Sequence, residues 1–390
     1  MGRLTTYLDY AATAPLRAEV RDAMAAVLAD AVPLGNPTGG HPSAQRARRL
    51  LEEARDEVAA FLGRDPGEMV FTSGGTESAN LAVLGTVEDA QRGRGEAVVL
   101  CSAVEHPAVL ESCRAATTRG AELRELPVDG AGIVQRDTLA RALSSRVALV
   151  AVMTANNETG VVQPLCEVVE EVRRRAPQAA VFTDAVQAAS FLDVAELTAG
   201  ADLVSLAAHK VGGPVGTGVL AVSPRVALEP RQYGGGQERE RRSGTQDVVG
   251  AVGLATALRL AAADRVGSSK RVAALRDRLA GGLASAIPDL HRTVPAGVPT
   301  LPGHLHVCLP GVEREELLVR LGQEGVCVSG GSSCASGALE PSHVLTAMGV
   351  SPALAEGAVR FTLGRDTTDE DVDRALVVVP AAVEALRRTA

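Results

Sequence analysis

Tryptophan is absent from this 390-residue chain, and aromatic side chains make up only 2% of it. A core of that size must be packed from alanine, valine and leucine. Lysine is almost missing as well: Lys210 and Lys270 stand against 37 arginines. No apolar run approaches the ~18 residues of a membrane-spanning helix. Residues 1–9 lack a signal peptide's apolar centre. The six cysteines form no C-x-x-C pair and no zinc-like spacing. That pattern offers no metal set and suits a reducing compartment. A net charge of −8 argues against a nucleic-acid-binding surface. These absences leave a soluble globular protein, expected in the cytoplasm, with neither membrane nor direct nucleic-acid partner.

What is present is an alternation. Short apolar runs at 70–72, 97–101, 147–153, 180–183, 203–207 and 219–222 read as strands. Helices are expected between them, from 17 to 29, through 84, from 107 to 119 and from 165 to 175. Another, with Leu50, Leu51, Ala54, Val58 and Phe61 at helical spacing, has Ser43 as its candidate cap. Such alternation predicts an α/β fold with a mostly parallel sheet covered by helices on both faces. The length favours two domains. After a long alanine-rich helical stretch, 247–286, the expected elements become a strand at 305–309, a helix at 313–323, a strand at 326–328 and a closing helix at 369–388. These make a smaller α+β unit.

In parallel sheets, sites gather at the carboxyl ends of the strands, and several chemically capable residues fall there. Lys210 follows the run 203–207 and precedes Gly212-Gly213-Pro214. It is either an ordinary strand-end cation or an amine kept for chemistry that arginine cannot do, such as forming a Schiff base. Ser73-Gly74-Gly75-Thr76 is a tight turn whose small residues and free N–H groups also suit an anion such as phosphate. Asp184 is a cap, or a counter-ion for a protonated ring nitrogen. Asn156-Asn157-Glu158-Thr159-Gly160 is an Asn-rich turn. His106, in a strand-to-helix connection, is an exposed loop residue or one lying against a flat cofactor. Far downstream, Cys334 sits among small, mostly polar neighbours that do not bury it, so its thiol is accessible. Cys101, Cys113, Cys166, Cys308 and Cys327 are expected to be buried and inert. Arg360, between apolar neighbours, calls for a carboxylate partner, structural or substrate.

Read in order, Tyr7-Leu8-Asp9-Tyr10-Ala11-Ala12-Thr13, Gly35-Asn36-Pro37, the stretch 71–78, Glu105-His106, 156–160, Asp184-Ala185-Val186-Gln187, His209-Lys210, Arg242-Ser243-Gly244-Thr245, Gly330-Gly331-Ser332-Ser333-Cys334 and 360–365 resemble the motifs of the cysteine desulfurases. These belong to the class V branch of the fold-type I pyridoxal 5'-phosphate (PLP) enzymes. The loop around Cys334 is similar to that of the NifS/IscS-like group. The resemblance implies a fold-type I PLP-dependent transferase. Its large domain would comprise 15–260, and its small domain 1–14 and 261–390. It also implies PLP as cofactor, held by Lys210 as a Schiff base, with Asp184 on the pyridinium nitrogen and His106 stacked on the ring. Gln187 and Asn157 would bond near the phenolic oxygen. Gly75, Thr76 and His209 would hold the phosphate, joined by Thr245 from the second subunit of a homodimer. Arg360, with Asn36, would clamp the carboxylate of L-cysteine. Cys334 would take the sulfur as a persulfide.

One departure stands out: the family usually has a serine where this chain has Ala207, a loss on the order of 1 kcal/mol in one neutral hydrogen bond. A related PLP-dependent C–S lyase or selenocysteine lyase, in which Cys334 is not the obligatory acceptor, is the alternative reading. The sulfur's destination is left open among an iron–sulfur scaffold, tRNA or DNA thiolation and a specialised biosynthetic pathway.

Overall fold

The structure, a computed structural model, describes residues 5–30, 32–331 and 342–389. Among them twelve strands occur: β1 (Thr6–Tyr7), β2 (Met69–Thr72), β3 (Val98–Ser102), β4 (Glu122–Leu126), β5 (Val147–Ala151), β6 (Ala180–Asp184), β7 (Leu203–Ala207), β8 (Gly218–Val222), β9 (His291–Arg292), β10 (His304–Cys308), β11 (Val326–Cys327) and β12 (Ala358–Thr362). Seven build one sheet in the order β2-β8-β7-β6-β5-β3-β4. The neighbours from β7 to β4 run parallel, while β8 is antiparallel to both β7 and β2.

Alternate side chains feed two cores. Val98, Leu100 and Val150 share one with the helices Pro42–Leu62 and Leu165–Arg175. Val99, Cys101 and Leu149 share the other with Gly75–Arg94 and Pro107–Thr117. With both faces covered, the inner strands read as unbroken apolar runs. The exception is β4, whose Glu-Leu-Arg-Glu-Leu sequence is largely exposed. It is an edge strand carrying charges, and it has no β-branched residue to mark it in the sequence.

The remaining strands form a three-stranded antiparallel sheet, β12-β10-β9, and the parallel pair β1-β11. Their core gathers Leu8, Leu305, Val307, Val359, Phe361 and Val379. The 39-residue helix Val248–Ala286 serves both regions. Ala251, Leu254 and Leu258 pack under the large sheet, and Val272, Leu275, Leu279 and Leu283 under the small one. The change of core is therefore made along one rod, with no linker between.

Local structure departs from expectation in a few places. The helix Pro42–Leu62 is capped by His41, whose Nδ1 accepts from the Ala44 N–H at 3.3 Å, and not by Ser43. Pro42 suits the first helical position, where its fixed φ is pre-set and no N–H is needed. The helix expected to run through Leu84 continues to Arg94. Arg360, expected only to lie among apolar neighbours, is the central residue of β12. Cys101, Cys113 and Cys308 are buried and Cys327 partly so, but Cys166 is exposed. Its helix turns Leu165, Val168 and Val172 inward, and Cys166 falls off that stripe. No described helix is long and apolar enough to cross a membrane, and no metal-ligating cluster occurs among the described residues.

Candidate active site

The carboxyl ends of β2, β6 and β7 converge on a cavity of ≈ 260 Å³ walled by Ala12, Gly75, Thr76, His106, Met153, Asn157, Asp184, Val186, Gln187, Ala207, His209 and Lys210, among others. Each wall residue is placed by a local device. Beyond β2, Gly74 turns the chain at φ 147°, a conformation open to glycine, and caps the helix Gly75–Arg94. Gly75 and Thr76 are that helix's first residues. Backbone N–H groups of a first turn have no intrahelical acceptor. A Cβ at Gly75 would meet Val186 Cγ2 at 3.1 Å, so the turn fits closely against the segment after β6. His106 caps the helix Pro107–Thr117, its Nδ1 accepting from the Ala108 N–H at 3.1 Å. In the neutral ring that leaves the proton on Nε2. Asp184 ends β6 and accepts from the Val186 N–H at 2.9 Å.

Lys210 closes a short 3-10 turn after β7. Its Nζ donates to the Ala11 carbonyl at 2.5 Å and to the Ala12 carbonyl at 2.9 Å. Gln187 donates to the same Ala11 oxygen at 3.0 Å, and His209 Nδ1 lies 3.3 Å from Thr13 Oγ1. Burial raises the Asp184 carboxyl above its ordinary range, while His106, the Val186 N–H and Lys210 pull it down. Burial lowers His106, with Asp184 opposing and Lys210 assisting. Burial and then Lys210 bring His209 down to about 4, so it is neutral at neutral pH. Behind the cavity, Glu105 is pushed up to about 8 by burial. Its Oε1 accepts from the Met153 N–H at 2.6 Å, and its buried Oε2 has no partner.

Arg360 approaches from the smaller sheet. Nη2 bonds Asp9 Oδ1 at 2.8 Å and Nη1 donates to the Asn157 carbonyl at 2.7 Å, while the buried Nε has no partner. The carboxylate expected beside this guanidinium is therefore Asp9, and the arginine reaches the cavity wall through Asn157. Within one chain the fold brings together Gly75, Thr76, His106, Asn157, Asp184, Gln187, His209 and Lys210. It does not bring Asn36 or Thr245 to that wall. Asn36 is exposed and bonds Thr38 through its Oδ1, and Thr245 is exposed at the end of the Arg242–Thr245 stretch. Cys334 lies outside the described residues. Ala207 sits on the wall and offers no hydroxyl there. The carbonyls of Ala11 and Ala12 had no signal in the sequence, since every residue carries one. Glu105 had a faint one, a carboxylate between an apolar strand and a proline-led helix.

The fold and the wall residues together define an enzyme of the fold-type I transferase class. Residues 6–375 match the aminotransferase class-V family model. The IscS-like cysteine desulfurase of Mycobacterium tuberculosis is 42% identical over 391 residues, covering 98% of each chain. The cysteine desulfurase IscS of Dictyoglomus turgidum is 40% identical over 383 residues, covering 98% of this chain and 95% of that one. A solved NifS-like protein superposes with a TM-score of 0.90 at 33% identity, over 98% of this chain and 100% of that one. The chain belongs to the class-V aminotransferase family, among its cysteine desulfurases.

Proposed function

We propose that this chain is a PLP-dependent L-cysteine desulfurase that yields L-alanine and carries the sulfur away on Cys334. The observation that carries the reading is the Lys210 amine and the buried Asp184 carboxylate on one cavity wall, with His106 beside them. That donor set fits PLP. Asp184 would offer a buried carboxylate to the ring nitrogen, the start of the Gly75–Arg94 helix would take the phosphate, and the Lys210 amine would hold the aldehyde carbon. Bound there, PLP supplies an electron sink for charge left on the substrate.

The chain's own residues do the rest. Asp184 holds the ring nitrogen's proton, and Gln187 and Asn157 bond near the phenolic oxygen. Gly75, Thr76 and His209 hold the phosphate, completed by Thr245 of a second subunit in a homodimer. Lys210 moves a proton at Nζ, and His106 at Nε2. Arg360, with Asn36, orients the cysteine carboxylate. The Cys334 thiolate attacks the substrate Sγ: an S–S bond forms, the Cβ–Sγ bond breaks, and the electron pair left on carbon takes a proton to give alanine. The persulfide then passes to an acceptor protein in a reducing cytoplasm. The division into 15–260 against 1–14 with 261–390 rests on the change of core along the helix Val248–Ala286.

Cysteine turnover by the purified holoenzyme should give alanine and a persulfide on Cys334 by mass spectrometry. Cys334→Ala should lose sulfur transfer. A Cys334→Ala enzyme releasing sulfur at full rate would overturn the reading in favour of a PLP-dependent C–S or selenocysteine lyase.

A further inference from the structure

Glu238, Arg239 and Glu240 adopt three consecutive left-handed conformations, with φ of 47°, 56° and 64°. None is glycine, so the turn is strained and persists only because its surroundings hold it. The holding group is a buried ion pair. Arg55 Nη1 donates to Glu238 Oε2 at 2.8 Å and Nη2 to Oε1 at 2.9 Å. The Phe71 N–H donates to Oε2 at 2.9 Å, and Gln246 Nε2 to Oε1 at 2.8 Å. Arg55 also donates to the Met69 carbonyl at 2.8 Å and lies 4.9 Å from the Phe71 ring centroid. Met69 and Phe71 belong to β2, the edge strand opposite β4, so the pair satisfies backbone groups on that edge. Capping the edge does not require the bond to Gln246, and that bond closes the segment 238–246 on itself. The segment is also tied to its surroundings: the Gly244 N–H donates to Gln237 Oε1 at 2.9 Å, and Arg242 Nε pairs with Glu77 Oε1, on the helix Gly75–Arg94, at 2.8 Å. Thr245 is left exposed between fastened neighbours.

We propose that Arg55 and Glu238 are positioning residues for cofactor binding across the subunit interface: they lock the strained turn so that Thr245 is presented to the partner's phosphate. The inference rests on the reading of the chain as a PLP-dependent homodimer in which Thr245 crosses between subunits. It is tested with Thr245→Ala, Glu238→Gln and the double variant as purified dimers, measuring the dissociation constants of PLP and of pyridoxal, which lacks the phosphate. Thr245→Ala and Glu238→Gln should each weaken PLP binding about tenfold, the scale of one hydrogen bond to a charged group. Pyridoxal binding should not change, and the double variant should be no weaker than Glu238→Gln alone. In the apoenzyme, Glu238→Gln should also speed tryptic cleavage after Arg239 and Arg241. Additive losses, or equal losses of PLP and pyridoxal, would overturn the proposal. A normal PLP affinity in Thr245→Ala would instead remove the cross-subunit reading beneath it. If Glu238→Gln does not fold, Arg55→Lys takes its place in the same cycle, keeping the charge but losing the two-pronged geometry.

Discussion

Arg360 is almost fully buried, yet its charge is shared between Asp9 and the Asn157 carbonyl, with Nε left over. A guanidinium so placed is already oriented, and lysine cannot reproduce its planar fork. Arg360→Lys should lower kcat/KM for cysteine by roughly 30- to 100-fold, corresponding to about 2–3 kcal/mol, with most of the change in KM. Steady-state kinetics decides it. A drop confined to kcat would mean that Arg360 does not hold the substrate carboxylate in the ground state. Lys210 shows the same economy of means: one of only two lysines in an arginine-rich chain, it is aimed by the carbonyls of Ala11 and Ala12.

The turn Asn156–Gly160, between β5 and the helix Leu165–Arg175, lies against the smaller sheet: Arg360 of β12 donates to the Asn157 carbonyl, and Gly160 is close to His304 of β10. Asn156 Oδ1 accepts from the Glu158 and Thr159 N–H groups at 2.9 and 2.8 Å, and Asn156 Nδ2 donates to the Val104 carbonyl at 2.9 Å. Gly160 sits at φ 77°, and a Cβ there would lie 2.4 Å from His304 Cβ. Gly160→Ala should therefore cost at least 2 kcal/mol, roughly, through left-handed strain and the clash together. Urea unfolding measures it. A loss under about 0.5 kcal/mol would show that the two sheets can part at this turn without penalty.

The pH dependence of stability belongs to the molecule as a whole, because buried groups in distant places set opposite limbs. Burial, and then Arg360, bring His304 and His306 down to about 3 from 6.5. The unfolded chain therefore binds protons there that the folded one refuses, and stability falls as pH drops from 6.5 toward 3. Glu105 acts in the other direction. Raised from 4.5 to about 8, it keeps its proton only when folded, so its contribution is full below 4.5 and lost as pH rises through 8. His304→Asn/His306→Asn should flatten the acid limb of the urea midpoint against pH, and Glu105→Gln the alkaline limb. Unchanged slopes in either variant would contradict the assignment.

Much of this was legible in the chain, for a physical reason. Continuous apolar runs mark strands covered on both faces, and glycine-rich or Asn-rich turns must follow them wherever the backbone changes direction, so the sheet and the residues at its carboxyl edge could be named in advance. Thr76, His106, Asp184 and Lys210 are local consequences of strand ends. What could not be read is whatever depends on distant segments meeting. Examples are β4 at the sheet's charged edge, Asp9 as the partner of Arg360 across 351 positions, the Ala11 and Ala12 carbonyls on Lys210, and the Arg55–Glu238 pair under a strained turn. Periodicity and composition report what a segment needs, apolar cover or a free backbone. Only the folded chain decides which remote group supplies it.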